Sequence, residues 1–242
     1  MELTKEEIEM LEGKHGKAVQ KAMEILTTLG DIYNAERMVE VTSVQISGVS
    51  YANLGEPGLK FLRKLAEDGK ARVLTTLNPA GMDLEEWHKL GIPEDFAEKQ
   101  LEVIDAFKSM GVITTATCTP YLVGNVPHYG DHIAWAESSA VAYANSVIGA
   151  RSNREGGPSA LAASLTGRTP MYGLHLEENR KPEITIEFQG TLKNISEFGA
   201  LGKAIAEKTK GKIVYITGIP HATVDQLKSF GASIATYAGV GL

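Results

Sequence analysis

Cys118 is the only cysteine in a chain of 242 residues. A single thiol cannot form an intrachain disulfide. Three roles remain for it: a nucleophile, a metal ligand, or a small buried apolar side chain. As a nucleophile it would pair with His128 or His132, with Asp131 orienting the imidazole. No local signature of a cysteine enzyme surrounds it. His128 and His132 also stand four residues apart, a spacing that suits two metal ligands on one helix face. Pro127, Tyr129 and Gly130 make that stretch a poor helix, so a structural or hydrogen-bonding role fits both histidines better.

Further along the chain, Arg151, Arg154, Arg168 and Arg180 cluster with Gly156 and Gly157. Guanidinium groups match carboxylate and phosphate oxygens, and successive glycine N–H groups can form an anion nest. A surface loop pinned by ion pairs would use the same residues. Asn145 lies in a run of small apolar residues, SSAVAYANSVI. A buried amide there needs partners, either a substrate or a nearby backbone turn.

These residues must be held by a framework. Thr4 and Glu7 fit a capping box ahead of a first short helix. Val19, Ala22, Met23, Leu26 and Leu29 predict a second helix, stopped at Gly30. Strands are expected over Met38–Ser47, Arg72–Leu77 and Val112–Thr117. Helices are expected around Leu59–Glu67 and over Glu94–Met110, the latter opened by Pro93. Cys118 then falls at the carboxyl end of the third strand. Helices over Ser138–Ile148 and Pro158–Leu165 follow, then strands over Met171–Leu176 and Glu183–Phe188. A helix over Glu197–Lys208, a strand over Lys212–Thr217 and a helix over Ala222–Phe230 come last.

Alternating strands and helices predict an α/β fold, a mostly parallel sheet flanked by helices. In such sheets ligands bind beyond the carboxyl ends of the strands. The loops at Gly48-Val49-Ser50, Asn78-Pro79 and Cys118-Thr119-Pro120 are the candidates. After Lys228 the chain carries no charge and stops in ATYAGVGL, which reads as a core strand running into a loop. Chain ends usually lie at the surface, so the expectation is a chain lacking its C-terminal part.

Composition narrows the partners. The formal net charge is −6 and no Lys/Arg block stands out, which argues against nucleic acid as the main partner. A small anionic substrate needs only a few local donors. No apolar run reaches membrane-span length, and the charged start MELTKEEIEM lacks the apolar core of a signal peptide. A cytoplasmic location is expected.

The stretch from Thr117 to His175, TCTPYLVGNVPHYGDHIAWAESSAVAYANSVIGARSNREGGPSALAASLTGRTPMYGLH, closely resembles the large subunit of the aconitase X family. SGVSYANLG, Ser47–Gly55, and TTLNPAGMD, Thr75–Asp83, are similar to the same family, in the same order. The resemblance implies an aconitase-like α/β fold over residues 1–242, as the catalytic large-subunit region, and a hydro-lyase reaction. It implies a small swivelling partner subunit and substrate contacts at Gly48, Val49, Ser50, Asn78, Pro79 and Asn145. Cys118 is implied as the first of three cysteines holding an iron–sulfur cluster, 4Fe-4S by family. The family commonly takes a serine base from the swivelling part, and no residue here takes that role. Within the family the pattern is most like the branch that dehydrates (R)-5-phosphomevalonate to trans-anhydromevalonate 5-phosphate in an isoprenoid (mevalonate) pathway. Another branch dehydrates cis-3-hydroxy-L-proline. One departure matters: clusters are held by several thiolates, and this chain has one. A non-catalytic module that pairs with the small subunit is therefore a second expectation.

Overall fold

The computed structural model describes residues 1–238. Thr4 and Glu7 close the expected capping box on α1 (Lys5–Leu11): Thr4 Oγ1 accepts from the Glu7 N–H, and the Glu7 carboxylate accepts from the Thr4 N–H. Helix α2 (Lys17–Ile32) buries Val19, Ala22, Met23 and Leu26 on one face. Gly30 does not stop it. A Cβ at Gly30 would lie 2.8 Å from the Met1 sulfur, so the glycine lets the N-terminus pack against the helix.

The stretch expected as one strand over Met38–Ser47 divides. β1 (Met38–Glu40) pairs antiparallel with β5 (Arg168–Pro170), while β2 (Ser43–Ile46) enters a parallel sheet. The turn at Val41-Thr42 separates the two sheets. β2 is central, flanked by β3 (Leu74–Leu77) and the short β4 (Ala134–Trp135), both parallel to it. β2 is buried at every position, as a central parallel strand should be.

Two segments extend this sheet without becoming regular strands. The first is Val112–Thr117, expected as a strand. It makes one parallel bridge, Ile113 to Thr76, and Thr117 N–H donates to the Leu77 carbonyl. Ala116, at φ +47°, breaks the extended path. Cys118 therefore follows a kinked edge segment and not a strand, though it still lies beyond the carboxyl end of β3. On the other side residues 151–154 run beside β4, with bridges His132–Arg151 and Trp135–Arg154.

Helices cover the sheet. α3 (Tyr51–Ala66) contains Pro57 and kinks at Gly55, and it packs on α4 (Glu94–Ser109). α5 (Ser138–Tyr143) widens into a π turn over Ala144–Ile148 that ends at left-handed Gly149. α6 (Gly157–Thr166) is buried from Ser159 to Thr166 and packs on α2 and β2. The strand expected over Met171–Leu176 is instead a single 3-10 turn, Gly173–His175. Gly173 has φ +56°, and the Asn153 side chain holds the segment by accepting from the Leu174 N–H and donating to the Tyr172 carbonyl.

A second small α/β unit follows. β6 (Ile184–Glu187) and β7 (Val214–Thr217) pair in parallel, joined by α7 (Ile195–Thr209). α8 (Val224–Ala238) packs on α7 and on α5. A Cβ at Gly202 would sit 2.6 Å from the Phe230 carbonyl, which is why the two helices approach so closely. The uncharged stretch read as a core strand is thus the end of a helix through residue 238, with Tyr237 52% exposed. Ala, Ser and Gly between the larger apolar residues leave strand and helix patterns indistinguishable there. Residues 239–242 lie outside the described residues.

Trp135 sits fully buried where β4 meets α5, and its indole N–H donates to Ser43 Oγ at 3.0 Å. Replacing Trp135→Ala should lower the unfolding free energy by about 3–5 kcal/mol in urea titrations, from lost burial and an unfilled cavity.

Candidate active site

The carboxyl ends of β2 and β3 lead into two of the three loops singled out from the sequence, and β4 leads to Glu137. Gly48 is exposed with φ +76°, and a Cβ there would meet nothing within 4 Å. With no side chain at Gly48 and open space beside it, a ligand can approach the main chain closely. The Val49 side chain points into the core, leaving its peptide groups to the loop. Ser50 caps α3 through the Ala52 N–H. A Cβ at Gly157 would lie 2.8 Å from the Ser47 carbonyl, so the start of α6 closes directly on this loop. The amino ends of α3 and α6 thus meet beside the same sheet edge. Their partial positive charge favours an anion there.

Two buried glutamines fix these loops. Gln100, from α4, donates to the Val49 carbonyl at 3.0 Å and accepts from Tyr51 N–H at 2.8 Å and Gly81 N–H at 3.4 Å. One amide thereby ties the Gly48–Ser50 loop to the Asn78–Gly81 loop. Gly81 permits the contact, because a Cβ would fall 2.3 Å from Ser50 Oγ. Gln45, in β2, accepts from the N–H groups of Ala136 and Glu137 at 3.3 and 2.9 Å and donates to Asn78 Oδ1. Asn78 Nδ2 donates to a Glu137 carboxylate oxygen at 2.8 Å. Gln45, Gln100 and Glu137 were not singled out from the sequence. The available signal was a glutamine inside the buried run SVQI, and another on the apolar face of a helix.

Cys118 lies half-buried in a turn held by Thr117, whose hydroxyl accepts from the Thr119 N–H at 3.1 Å. Burial first, and then the Glu137 charge, push its thiol pKa up. Glu137 therefore links the cysteine electrostatically to the Asn78 side of the site. Among the described residues no three His, Cys, Asp or Glu side chains form a metal-holding group. Clusters are held by several thiolates and this chain has one, so the residues present do not hold an iron–sulfur cluster unaided.

The other sequence candidates lie elsewhere. His132 precedes β4, at the amino edge of the sheet, and no hydrogen bond or ion pair joins Cys118 to either histidine among the described residues. His128 is 92% exposed beside Asp131. The His132 and His175 Nδ1 atoms are 2.9 Å apart. The arginines are spent mainly on structural contacts: Arg151 pairs with Glu177, and Arg168 with Glu6, Glu7 and Glu40. Arg180 donates to Asn145 Oδ1 at 2.8 Å and to the Asn145 carbonyl. Asn145 Nδ2 donates to the carbonyls of Val141 and Ser152, and its Oδ1 also accepts from the Ser152 N–H. Of the two partners open to this amide from the sequence, the backbone turn is the one it binds in this structure. Gly156 N–H donates to Ser159 Oγ, so the glycine pair is a helix start with one N–H already engaged.

Family models place the chain among known proteins. One described as the first domain of aconitase X matches residues 1–178, and one for the second domain matches residues 182–242. The chain belongs to the aconitase X family. It is 51% identical over 252 residues to the phosphomevalonate dehydratase large subunit of Methanocaldococcus jannaschii, covering 100% of this chain and 62% of that protein. It is 49% identical to the protein of the same name from Methanothermobacter thermautotrophicus, covering 99% and 60%. It is 35% identical to a cis-3-hydroxy-L-proline dehydratase of Hypocrea jecorina, covering 98% and 41%. The crystal structure of holo aconitase X from Thermococcus kodakaraensis superposes with a TM-score of 0.87 at 46% identity, over 97% of this chain and 59% of that one. The chain thus spans about three fifths of the length of its archaeal relatives.

His175 gives the fold a pH signature. Burial, then His132 and the nearby arginines, push its pKa down to about 3. The unfolded histidine takes up a proton near its ordinary pKa of about 6.5, while the folded one stays neutral. Stability is therefore complete above that value and falls as pH drops toward 3. The slope from this group reaches up to about 1.4 kcal/mol per pH unit. Chemical denaturation between pH 6.5 and 5 should show this loss, and His175→Gln should flatten it.

Proposed function

We propose that this chain forms the substrate-side part of the large subunit of a phosphomevalonate dehydratase. The reaction is a hydro-lyase step that removes water from (R)-5-phosphomevalonate to give trans-anhydromevalonate 5-phosphate, in a cytoplasmic isoprenoid (mevalonate) pathway. The observation that carries this reading is similarity across the whole chain. Five archaeal large subunits of that name are 38–51% identical, four of them at 46% or more, against 34–35% for the hydroxyproline dehydratases. An anionic substrate is compatible with the site, since the amino ends of α3 and α6 lie beside one sheet edge and their dipoles favour negative charge. Among the described residues no helix is long and apolar enough to cross a membrane.

In this reading the Gly48-Val49-Ser50 main chain and the Asn78-Pro79 turn receive the substrate. Gln100 holds the two loops at fixed separation, so binding orders little additional chain. Asn145 braces the Ser152 segment and Arg180. Cys118 is one ligand of an iron–sulfur cluster completed by residues beyond those described. When bound, such a cluster supplies a Lewis acid for the departing hydroxide. The chain's own groups bind and orient the substrate and keep its acidic carbon at a fixed place for a base. A small swivelling subunit, the partner implied by the relatives' designation as large subunits, closes the site and brings that base.

Anaerobic reconstitution of the complete large subunit with its small subunit tests the assignment. Phosphomevalonate should be dehydrated, with the new alkene followed by absorbance. Turnover of cis-3-hydroxy-L-proline instead would move the protein to the other branch. A complex that forms but turns over neither substrate would support the non-catalytic module. In the same complex, Cys118→Ala should abolish bound iron and visible cluster absorbance while leaving the melting temperature of the apo form within a few degrees. Normal iron content in that variant would remove Cys118 from the ligand set.

A further inference from the structure

Glu137 occupies the N-cap position of α5, just after the carboxyl end of β4, without a side-chain capping bond. Its surroundings form a closed hydrogen-bond circuit with a fixed direction. The Glu137 N–H donates to Gln45 Oε1 at 2.9 Å, and the Ala136 N–H reinforces that bond. Backbone N–H groups can only donate, so this end of the Gln45 side chain must be its oxygen. Gln45 Nε2 is then obliged to donate to Asn78 Oδ1. That in turn leaves Asn78 Nδ2 facing the Glu137 carboxylate, to which it donates at 2.8 Å. The circuit starts at the backbone of Glu137 and ends on its side chain.

The arrangement does two things. It selects one of two flipped orientations of the Asn78 amide, a choice that an exposed asparagine leaves open. It also spends one N–H of Asn78 Nδ2 on a charged acceptor and leaves the second without a partner among the described residues. Asn78 as a whole is only partly buried, at the carboxyl end of β3. The other Glu137 oxygen lies 3.4 Å from both Ser138 Oγ and Ser139 Oγ, so the carboxylate is held from its own helix as well.

We propose that Glu137 is a positioning residue of this site: through its bond to Nδ2 it orients the Asn78 amide so that one N–H faces the substrate. The proposal rests on the reading of Asn78 as a substrate contact. The role proposed for Glu137 is the one it has toward Asn78, to which it is hydrogen-bonded.

The test is a double-mutant cycle in the assembled enzyme, assayed on whichever of the two hydroxy-acid substrates it turns over. Glu137→Ala should lower kcat/KM by about ten- to a hundred-fold, the usual effect of losing a hydrogen bond to a charged group, mainly through a raised KM. Glu137→Gln keeps an acceptor oxygen and should recover most of that loss. In an Asn78→Ala background, Glu137→Ala should change kcat/KM by less than about twofold, since its target is gone. Iron content should match wild type throughout.

The outcomes separate the two claims. If Asn78→Ala leaves kcat/KM at the wild-type value, Asn78 is not a substrate contact and the proposal falls with that reading. If Asn78→Ala is damaging while Glu137→Ala is harmless, or the two losses multiply independently, only the role of Glu137 fails. Equal losses in the Ala and Gln variants, or loss of iron, would mean that the charge acts elsewhere and overturn the proposal. Should Glu137→Ala fail to fold, the cycle is run with Glu137→Gln: its smaller loss in the wild-type background should vanish beside Asn78→Ala, and persistence there overturns the proposal.

Discussion

The side chain of Gln45 is wholly buried at the middle of the parallel sheet, and the site edge depends on it. An amide in that position must satisfy both ends, because an unpaired buried donor or acceptor costs about 1–3 kcal/mol. It does so by reaching across both neighbouring strands at once, to β4 through two backbone N–H groups and to the β3 loop through Asn78. The requirement is local, but the result is not. Three strand ends lock in one register, and the loops that follow them inherit that register. Gln100 applies the same logic from outside the sheet, joining two loops that no strand pairing connects.

The elements with strong periodicity or strong punctuation were legible in the sequence. The capping box at Thr4, the apolar face of α2, the β3 run ending at Asn78-Pro79, and the long helix after Pro93 all appear where pattern places them. Short pieces were not legible. β4 has two residues, too few for any alternation to register, yet it carries Trp135 and leads to Glu137. The kink at Ala116 depends on a left-handed backbone that an alanine does not announce. The split between β1 and β2 depends on which sheet each half joins, a tertiary fact.

The loops of the candidate site were legible in position and the residues that hold them were not, for the same reason. Gly48, Ser50, Asn78 and Pro79 sit in breaker-rich loops after strands, where ligands are expected. The residues that hold those loops sit inside regular elements, disguised as core. Glu137 was passed over as one acid among many. Asn145 shows the reverse case. Its type and surroundings flagged it correctly as an amide in need of partners, and the fold supplies all of them from Val141, Ser152 and Arg180.

The π turn over Ala144–Ile148 gives Asn145 that position. A widened turn holds one more residue than a regular helix would, and each residue rotates a side chain by about 100° about the axis. Deleting a single residue there would tidy the helix and at the same time swing the amide away from Ser152 and Arg180. Arg180 stands just ahead of β6, the start of the second α/β unit. The extra residue therefore acts as a phase setting: a change of length by one, with no change in chemistry, would break the Arg180 tie between the second unit and this helix, leaving α8 on α5 as the remaining join.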